Sequence, residues 1–130
     1  ILLIAAALSE KRCKELASFA KKLGLDVLLE VHNKEEIDSH LIEAVDIVGV
    51  NNRNLHDFTT NIDTSIALAQ YIPDKFVKIS ESGITQAEHI VKLKKHGFKG
   101  FLIGTHFMSH TQPDQACAKL ISEVKRLDRL

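Results

Sequence analysis

The chain has 130 residues, 17 basic and 17 acidic side chains, and a formal net charge of zero. Its 45% hydrophobic and 26% charged residues are the balance of an ordinary globular protein, which excludes a disordered tail, a collagen-like chain and a coiled coil. Balanced charge removes the usual electrostatic case for nucleic acid or an anionic membrane as a partner, and no apolar run reaches the ~20 residues of a membrane span.

The two cysteines and the first eight residues indicate where the protein works. Cys13 and Cys117 lie far apart without a C-x-x-C motif, which favours two reduced thiols packed against a core over a disulfide or a metal site. Residues 1–8 are all apolar, yet they lack the basic start and the small-residue cleavage site of a signal peptide. We therefore expect a cytoplasmic protein, and we interpret residues 1–8 as a strand that begins within a larger domain.

Short apolar runs alternate with amphipathic stretches along the whole chain. The apolar runs predict strands at residues 1–8, 27–32, 46–50, 76–80 and 101–103. Helical spacing predicts helices that end at Gly24, that cover residues 34–44, 63–71 and 85–97, and that run from Pro113 nearly to the last residue. Asn33 with Glu36 is a predicted helix cap, Asp63 caps the next helix, and Thr85 with Glu88 forms a predicted capping box.

The strict alternation predicts a parallel α/β fold, because strands that are apolar on both faces belong to a sheet covered by helices. A doubly wound sheet and a (β/α)8 barrel both fit this pattern. Five units in 130 residues average 26 residues each, and eight such units would reach roughly 208, within the size range of the barrel. No G-x-G-x-x-G motif follows the first strand, so a dinucleotide-binding sheet has no support. We predict that residues 1–130 belong to one domain.

Polar residues gather where four consecutive predicted strands end. These ends are marked by Glu30, by Asn51 with Arg53, by Glu81 with Ser82 and Gly83, and by Gly104 with Thr105. In a parallel α/β protein such ends share one rim, which is where barrel enzymes keep their active sites. Because glycine lets backbone N–H groups approach an anion closely, the last two strand ends predict a phosphate site.

Five strings carry a resemblance to a known family. LLIAAAL, LEVH, VGVNNRNL, SESGI and FLIGT, which begin at residues 2, 29, 48, 80 and 101, resemble indole-3-glycerol phosphate synthase in that family's order and spacing. The resemblance covers the whole chain and the last five of the family's eight strand–helix units. It implies the C-terminal portion of a (β/α)8 TIM barrel, with strands four to eight and their helices in a parallel sheet.

The resemblance also implies an activity. The family is a carbon–carbon lyase of tryptophan biosynthesis that converts 1-(2-carboxyphenylamino)-1-deoxyribulose 5-phosphate to indole-3-glycerol phosphate, releasing CO2 and water without a metal or an organic cofactor. The expected partner is therefore this small phosphorylated substrate, with neither nucleic acid nor a membrane. Ring closure onto an aromatic carbon needs an acid for the carbonyl oxygen, and dehydration then needs a base and an acid.

By position, the resemblance gives each strand-end residue a role. Glu30 matches the general base candidate, and Glu81 matches the carboxylate that orders the substrate hydroxyls and nearby cationic groups. Asn51 and Arg53 match residues that line the anthranilate and carboxylate end of the substrate, and a planar guanidinium suits bidentate contact with a carboxylate. The phosphate contacts match Ser82, Gly83, Gly104 and Thr105, with Thr105 in place of the more usual serine.

One role has no candidate. The family's general acid is a lysine on its third strand, which would precede Ile1. Lys78 is no substitute, because strand alternation points it away from Ile79 and Glu81, toward the helices. We expect the chain alone to lack ring-closure activity.

Other interpretations stay open. The chain could belong to a different phosphate-binding barrel, such as phosphoribosylanthranilate isomerase, or it could be a phosphate-binding unit without catalysis. An incomplete barrel has two open sheet edges, so self-association is a further possibility. His106 and His110 share a helical spacing, but no third metal ligand lies nearby, and His32 is expected to pack at the rim.

Overall fold

Residues 1–129, which the computed structural model describes, form a parallel sheet of five strands in chain order with helices between them. The strands are β1 (Leu2–Ile4), β2 (Leu28–Val31), β3 (Ile47–Asn51), β4 (Val77–Glu81) and β5 (Phe98–Leu102). The helices are α1 (Glu10–Lys22), α2 (Lys34–His40), α3 (Asp63–Leu68), α4 (Ala87–Lys95), α5 (Thr105–Met108) and α6 (Pro113–Leu127). The predicted parallel α/β fold is confirmed.

One face of the sheet packs against the helices and forms the core. Leu29, Val48 and Val50 point into this layer and are fully buried, as is Ala17 of α1. Because β-branched and leucine side chains alternate with residues on the other face, each strand contributes apolar surface to the helix layer. Both cysteines are free, as predicted, and Cys13 is buried in this core.

The opposite face of the sheet, called the open face below, carries the polar strand-end residues. Its central positions pair in register, with Glu30 beside Gly49 and Asn51 beside Glu81. Large apolar side chains on the same face remain partly exposed, among them Leu2 at 43%, Val77 at 45% and Leu102 at 45%. Within residues 1–129, β1 and β5 each pair with a strand on one side only.

Of the three predicted side-chain caps, one is present and two are not, while the last helix begins at Pro113 as predicted. Asn33 caps α2, since its Oδ1 accepts the Glu36 backbone N–H at 2.8 Å. Asp63 is the first residue of α3 and not its cap, because the Asn61 side chain accepts the Asp63 N–H at 2.9 Å. The capping box at Thr85 is wrong. The helix α4 begins at Ala87, and no side chain caps it.

Several element bounds also differ from the prediction. The apolar run at residues 1–8 yields only a three-residue strand, because Ala5–Ala7 turn into a 3-10 helix. The predicted helix at residues 34–44 ends at His40, where Leu41 takes an extended conformation. Strand β5 begins at Phe98, three residues earlier than predicted, and includes Gly100.

Lys78 faces the helix layer, as alternation predicts. Its Nζ lies 3.0 Å from Asp74 Oδ1 and 3.4 Å from the Ile72 carbonyl, so the amine is held on the side away from the open face. None of the helices within the described residues is both long and apolar enough to cross a lipid bilayer.

Candidate active site

Three side chains meet on the open face at the carboxyl ends of β2, β3 and β4. Asn51 Nδ2 donates to Glu30 Oε1 at 3.0 Å, and Asn51 is the register partner of Glu81. Both glutamates are buried, with Glu30 9% and Glu81 5% exposed. The structure thus brings together the two carboxyls predicted from separate strand ends.

Gly49 makes room for this arrangement. A Cβ at this position would lie 1.9 Å from Glu81 Oε1, so the Glu81 carboxyl occupies the space where any other residue would place its side chain. Since Gly49 separates Glu30 on β2 from β4, the vacant space lets Glu81 reach across β3 toward Glu30. The carboxyl pair can therefore form only because Gly49 has no side chain.

The two carboxyls have opposite titration behaviour. The pKa of Glu30 lies below its ordinary value, first because of the His32 imidazole and further because of the Asn51 amide, although burial opposes the shift. Burial, reinforced by the neighbouring Glu30 charge, raises the pKa of Glu81 to about 7. Two nearby carboxyls in a buried site resist double ionisation, so the pair holds one proton, on Glu81, up to about pH 7.

Arg53 lies just after β3, in the loop that follows Asn51. Asn51 Oδ1 accepts the Arg53 backbone N–H at 2.9 Å, while Arg53 Nη1 donates to the Phe58 carbonyl at 2.9 Å. Arg53 also forms an antiparallel bridge with Thr60, which closes the loop on itself. One guanidinium N–H is thereby engaged, and the remaining donors of the fork are free to meet an anion.

The predicted phosphate residues line a common cleft of about 730 Å³, which also includes Arg53, Thr60 and Glu81. Ser82, with φ 68°, and Gly83, with φ 71°, both have left-handed backbone conformations. A Cβ on Gly83 would lie 2.7 Å from the Thr60 Cβ, so only glycine fits. Helix α5 begins at Thr105, next to Gly104, and has only four residues, so its dipole contributes little to anion binding. The predicted phosphate site therefore depends on the backbone N–H groups of these loops.

A family model described as indole-3-glycerol phosphate synthase matches residues 1–120. The chain belongs to this family. The synthase of Bacteroides thetaiotaomicron is 43% identical over 125 residues, which cover 96% of this chain and 48% of the relative. The synthase of Salinibacter ruber is 39% identical over 127 residues, covering 98% of this chain and 47% of the relative. The chain thus spans about half the length of the curated relatives it matches.

Solved structures support the barrel fold. A structure described as native KDPGal has a TM-score of 0.65 at 15% identity and covers 98% of this chain and 58% of its own. The YdjI aldolase from Escherichia coli K12 has a TM-score of 0.59 at 15% identity, over 98% of this chain and 58% of its own. At such identity the likeness shows the fold alone. It agrees with the predicted portion of a TIM barrel.

Asn52 follows β3 directly, and the sequence indicated no role for it. It is 3% exposed and faces the helix layer, where its Oδ1 accepts the Ser65 Oγ–H at 2.8 Å and the Ser65 N–H at 3.1 Å. Its Nδ2 donates to Ser80 Oγ at 2.9 Å and to the Ser82 carbonyl at 3.0 Å. Asn52 therefore ties α3 and β4 to the turn at Ser82. The available signal was the second asparagine in the doublet that ends β3.

The histidines divide into two groups. The rings of His106 and His110 meet edge-on, with 5.0 Å between their centroids, and His110 Nδ1 contacts the His106 carbonyl at 2.7 Å. Within residues 1–129 no three His, Cys, Asp or Glu side chains gather as a metal site. His32, in contrast, is part of the candidate active site, because its Nε2 lies 3.2 Å from Glu30 Oε1.

Proposed function

We propose that this chain supplies the C-terminal part of an indole-3-glycerol phosphate synthase active site, which closes and decarboxylates 1-(2-carboxyphenylamino)-1-deoxyribulose 5-phosphate. The observation that carries the proposal is the contact group of Glu30, Asn51 and Glu81, next to the cleft at Ser82 and Gly83. Family membership supports the same reaction. The free thiols are compatible with a cytoplasmic setting, which is part of the proposal.

The proposed chemistry distributes the substrate along the rim. The phosphate binds at the backbone N–H groups of Ser82, Gly83, Gly104 and Thr105 and at the two hydroxyls. Arg53 and Asn51 contact the carboxylate end, where the guanidinium keeps its bond to the Phe58 carbonyl and offers its other N–H groups. The reacting carbons then lie between these ends, above the carboxyl pair.

The carboxyl pair performs the proton transfers available to this chain. Glu30, held ionised by its neighbours, accepts a proton during the loss of water. Glu81, which keeps its proton up to about pH 7, donates a hydrogen bond to the substrate hydroxyls in that form. Protonation of the carbonyl oxygen in ring closure needs a further acid, and we assign that role to no residue of this chain. The chain alone therefore binds the phosphate end but does not complete the reaction.

A chimera tests the proposal. The chain is fused after the part of the Bacteroides thetaiotaomicron synthase that precedes the matched segment, and indole formation is followed by fluorescence. We expect activity in the chimera, none in the chain alone, and loss of activity in Glu30→Gln. Glu43→Gln, which changes an exposed glutamate paired with Lys75, is the matched control and keeps full activity. An inactive chimera with a native circular dichroism spectrum, or activity that is indifferent to Glu30→Gln, contradicts the proposal.

Phosphate binding is tested without catalysis. Inorganic phosphate added to the 15N-labelled chain should shift the amide signals of Gly83 and Gly104, while the amide of Gly24, at the end of α1, stays unchanged. Equal shifts at all three glycines would mean a nonspecific ionic effect and would remove the proposed anion site.

Self-association is a second property that the open face favours. Leu2, Val77 and Leu102 expose apolar surface there, and the outer edges of β1 and β5 are unpaired in the described residues. A second copy would cover both kinds of surface. Analytical ultracentrifugation of the chain at tens of micromolar should give a dimer or a larger species, and a monomer that binds no hydrophobic dye contradicts this.

A further inference from the structure

His32 lies between two carboxylates at the end of β2. Its Nε2 is 3.2 Å from Glu30 Oε1, and its Nδ1 is 3.2 Å from Glu36 Oε2. The same Glu36 oxygen accepts the His32 backbone N–H at 2.7 Å. Counted over side-chain atoms alone, the three residues are 10–16% exposed, so this row of charged groups is largely shielded from water.

We propose that His32 is a positioning residue that fixes the negative charge of the carboxyl pair on Glu30 and leaves the proton on Glu81. The inference rests on the proposed function, since it assigns the proton-accepting and proton-holding roles within the same site. It gives Glu36 a role as well, because Glu36 sets the orientation of the imidazole.

The two glutamates of the pair are chemically identical. Two like carboxyls in contact share one proton, and only their surroundings decide which of them keeps it. Glu30 receives Asn51 Nδ2 at 3.0 Å and faces His32 Nε2. Glu81 Oε1, by contrast, is buried and meets no hydrogen-bond donor in the described part of the chain. The charge therefore resides on Glu30.

Glu36 makes the imidazole a stable cation. A carboxylate oxygen lies 3.2 Å from each ring nitrogen of His32, at hydrogen-bond geometry for Nδ1 and as a charge contact without such geometry for Nε2, and two neighbouring carboxylates favour the doubly protonated form. The pKa of His32 is accordingly raised, first by Glu30 and then by Glu36, against the effect of burial. The ionisable groups that face His32 are Glu30 on β2, Glu36 at the start of α2 and Glu81 across β3.

Glu36 is itself fixed by the start of its helix. Its backbone N–H donates to Asn33 Oδ1 at 2.8 Å, and its Oε1 accepts from Asn33 Nδ2 at 3.4 Å. The cap that starts α2 thus also places the carboxylate that holds His32. Asn33 therefore orients Glu36, Glu36 orients the His32 imidazole, and the imidazole lies against Glu30.

Carboxyl NMR of the chain labelled with 13C at the glutamate Cδ tests the proposal. In the wild type we expect Glu30 to titrate below the ordinary range and Glu81 near neutral pH, with Glu81→Gln assigning the signals. In His32→Gln the pKa of Glu30 should rise by about one unit, a tenfold change in proton affinity, and the separation from Glu81 should shrink. His96→Gln, which alters a histidine at the far end of α4, should leave both titrations unchanged.

Two results would overturn the proposal. One is a His32→Gln variant in which both carboxyl titrations match the wild type. The other is assignment of the near-neutral titration to Glu30. If His32→Gln fails to fold, Glu36→Gln takes its place, and the 15N titration of the His32 ring should then move to lower pH; an unchanged ring titration contradicts the proposal.

The pH profile of the chimera separates positioning from structure. His32→Gln should move the acidic limb of kcat/KM to higher pH, whereas a purely structural role lowers the rate equally at every pH. The carboxyl titrations need no substrate, so they can succeed even when the chimera forms no product. An active chimera with unmoved carboxyl titrations would refute the role of His32 and leave the proposed function intact.

Discussion

Replacing Glu81 with glutamine removes an ionisable group whose burial makes folding depend on pH. Glu81 is 5% exposed and its pKa is about 7, against an ordinary value of 4.5. Below pH 4.5 the carboxyl is neutral in the folded and the unfolded chain, so it has no effect on stability. Between pH 4.5 and 7 the unfolded chain loses this proton while the folded chain keeps it, so stability falls as pH rises.

The size of the effect follows from the two pKa values. The interval between 4.5 and about 7 corresponds to about 3 kcal/mol, all of which is lost above pH 7. A glutamine carries no charge, and its amide can donate to Glu30. The free energy of unfolding of Glu81→Gln minus that of the wild type should therefore rise by about 3 kcal/mol between pH 4 and pH 8.

Urea unfolding of the 130-residue chain, followed by far-ultraviolet circular dichroism at each pH, measures this difference. Glu30 has the opposite effect on the pH dependence of stability, because its pKa is lowered in the folded chain. The stability that its carboxylate provides is present at pH values above its ordinary pKa and is lost as the pH falls. Subtracting the wild type from the variant leaves mainly the Glu81 contribution. Glu15→Gln, at an exposed site on α1, is the control and should show a nearly constant difference. If the stability difference between Glu81→Gln and the wild type is equally constant across pH, burial does not disfavour the Glu81 carboxylate, and the raised pKa of Glu81 is refuted.

Three further substitutions follow from the geometry. Gly49→Ala displaces the Glu81 carboxyl and should lower kcat/KM of the chimera by about 100-fold. The free energy of unfolding should change by less than about 1 kcal/mol. Full activity would refute the claim that Gly49 makes room for Glu81. Asn52→Ala removes four hydrogen bonds made by a buried side chain and leaves the Ser65 backbone N–H without its partner, so it should cost about 3 kcal/mol in urea unfolding, where a loss below about 1 kcal/mol contradicts it. Asn33→Ala removes a cap and should cost about 1 kcal/mol, with faster amide exchange in the first turn of α2; unchanged exchange would argue against the cap.

The sequence alone predicted what depends on periodicity. Apolar runs placed the strands, and the shared rim of a parallel sheet placed Glu30, Asn51 and Glu81 together. Alternation also placed Lys78 on the helix side. These inferences hold because strand geometry fixes which face each side chain takes, whatever its neighbours are.

What escaped prediction depends on contacts between strands. Nothing in the chain order says that Glu81 reaches across the space at Gly49, since this needs the register of β3 against β4. The capping box at Thr85 was wrong because the left-handed residues Ser82 and Gly83 precede a short extended segment, which delays the helix to Ala87. A local motif cannot reveal such a delay.

The hydrogen-bonded cluster of Asn52, Ser65 and Ser80 has a consequence for how the family can change. The three side chains hydrogen-bond to one another, so substituting any one of them leaves a buried polar group without its hydrogen-bond partner. Replacement by apolar residues is therefore favourable only when all three positions change together. We expect these positions to covary among homologues, and a designer who grafts the loop after β3 into another barrel should transplant α3 and the end of β4 with it.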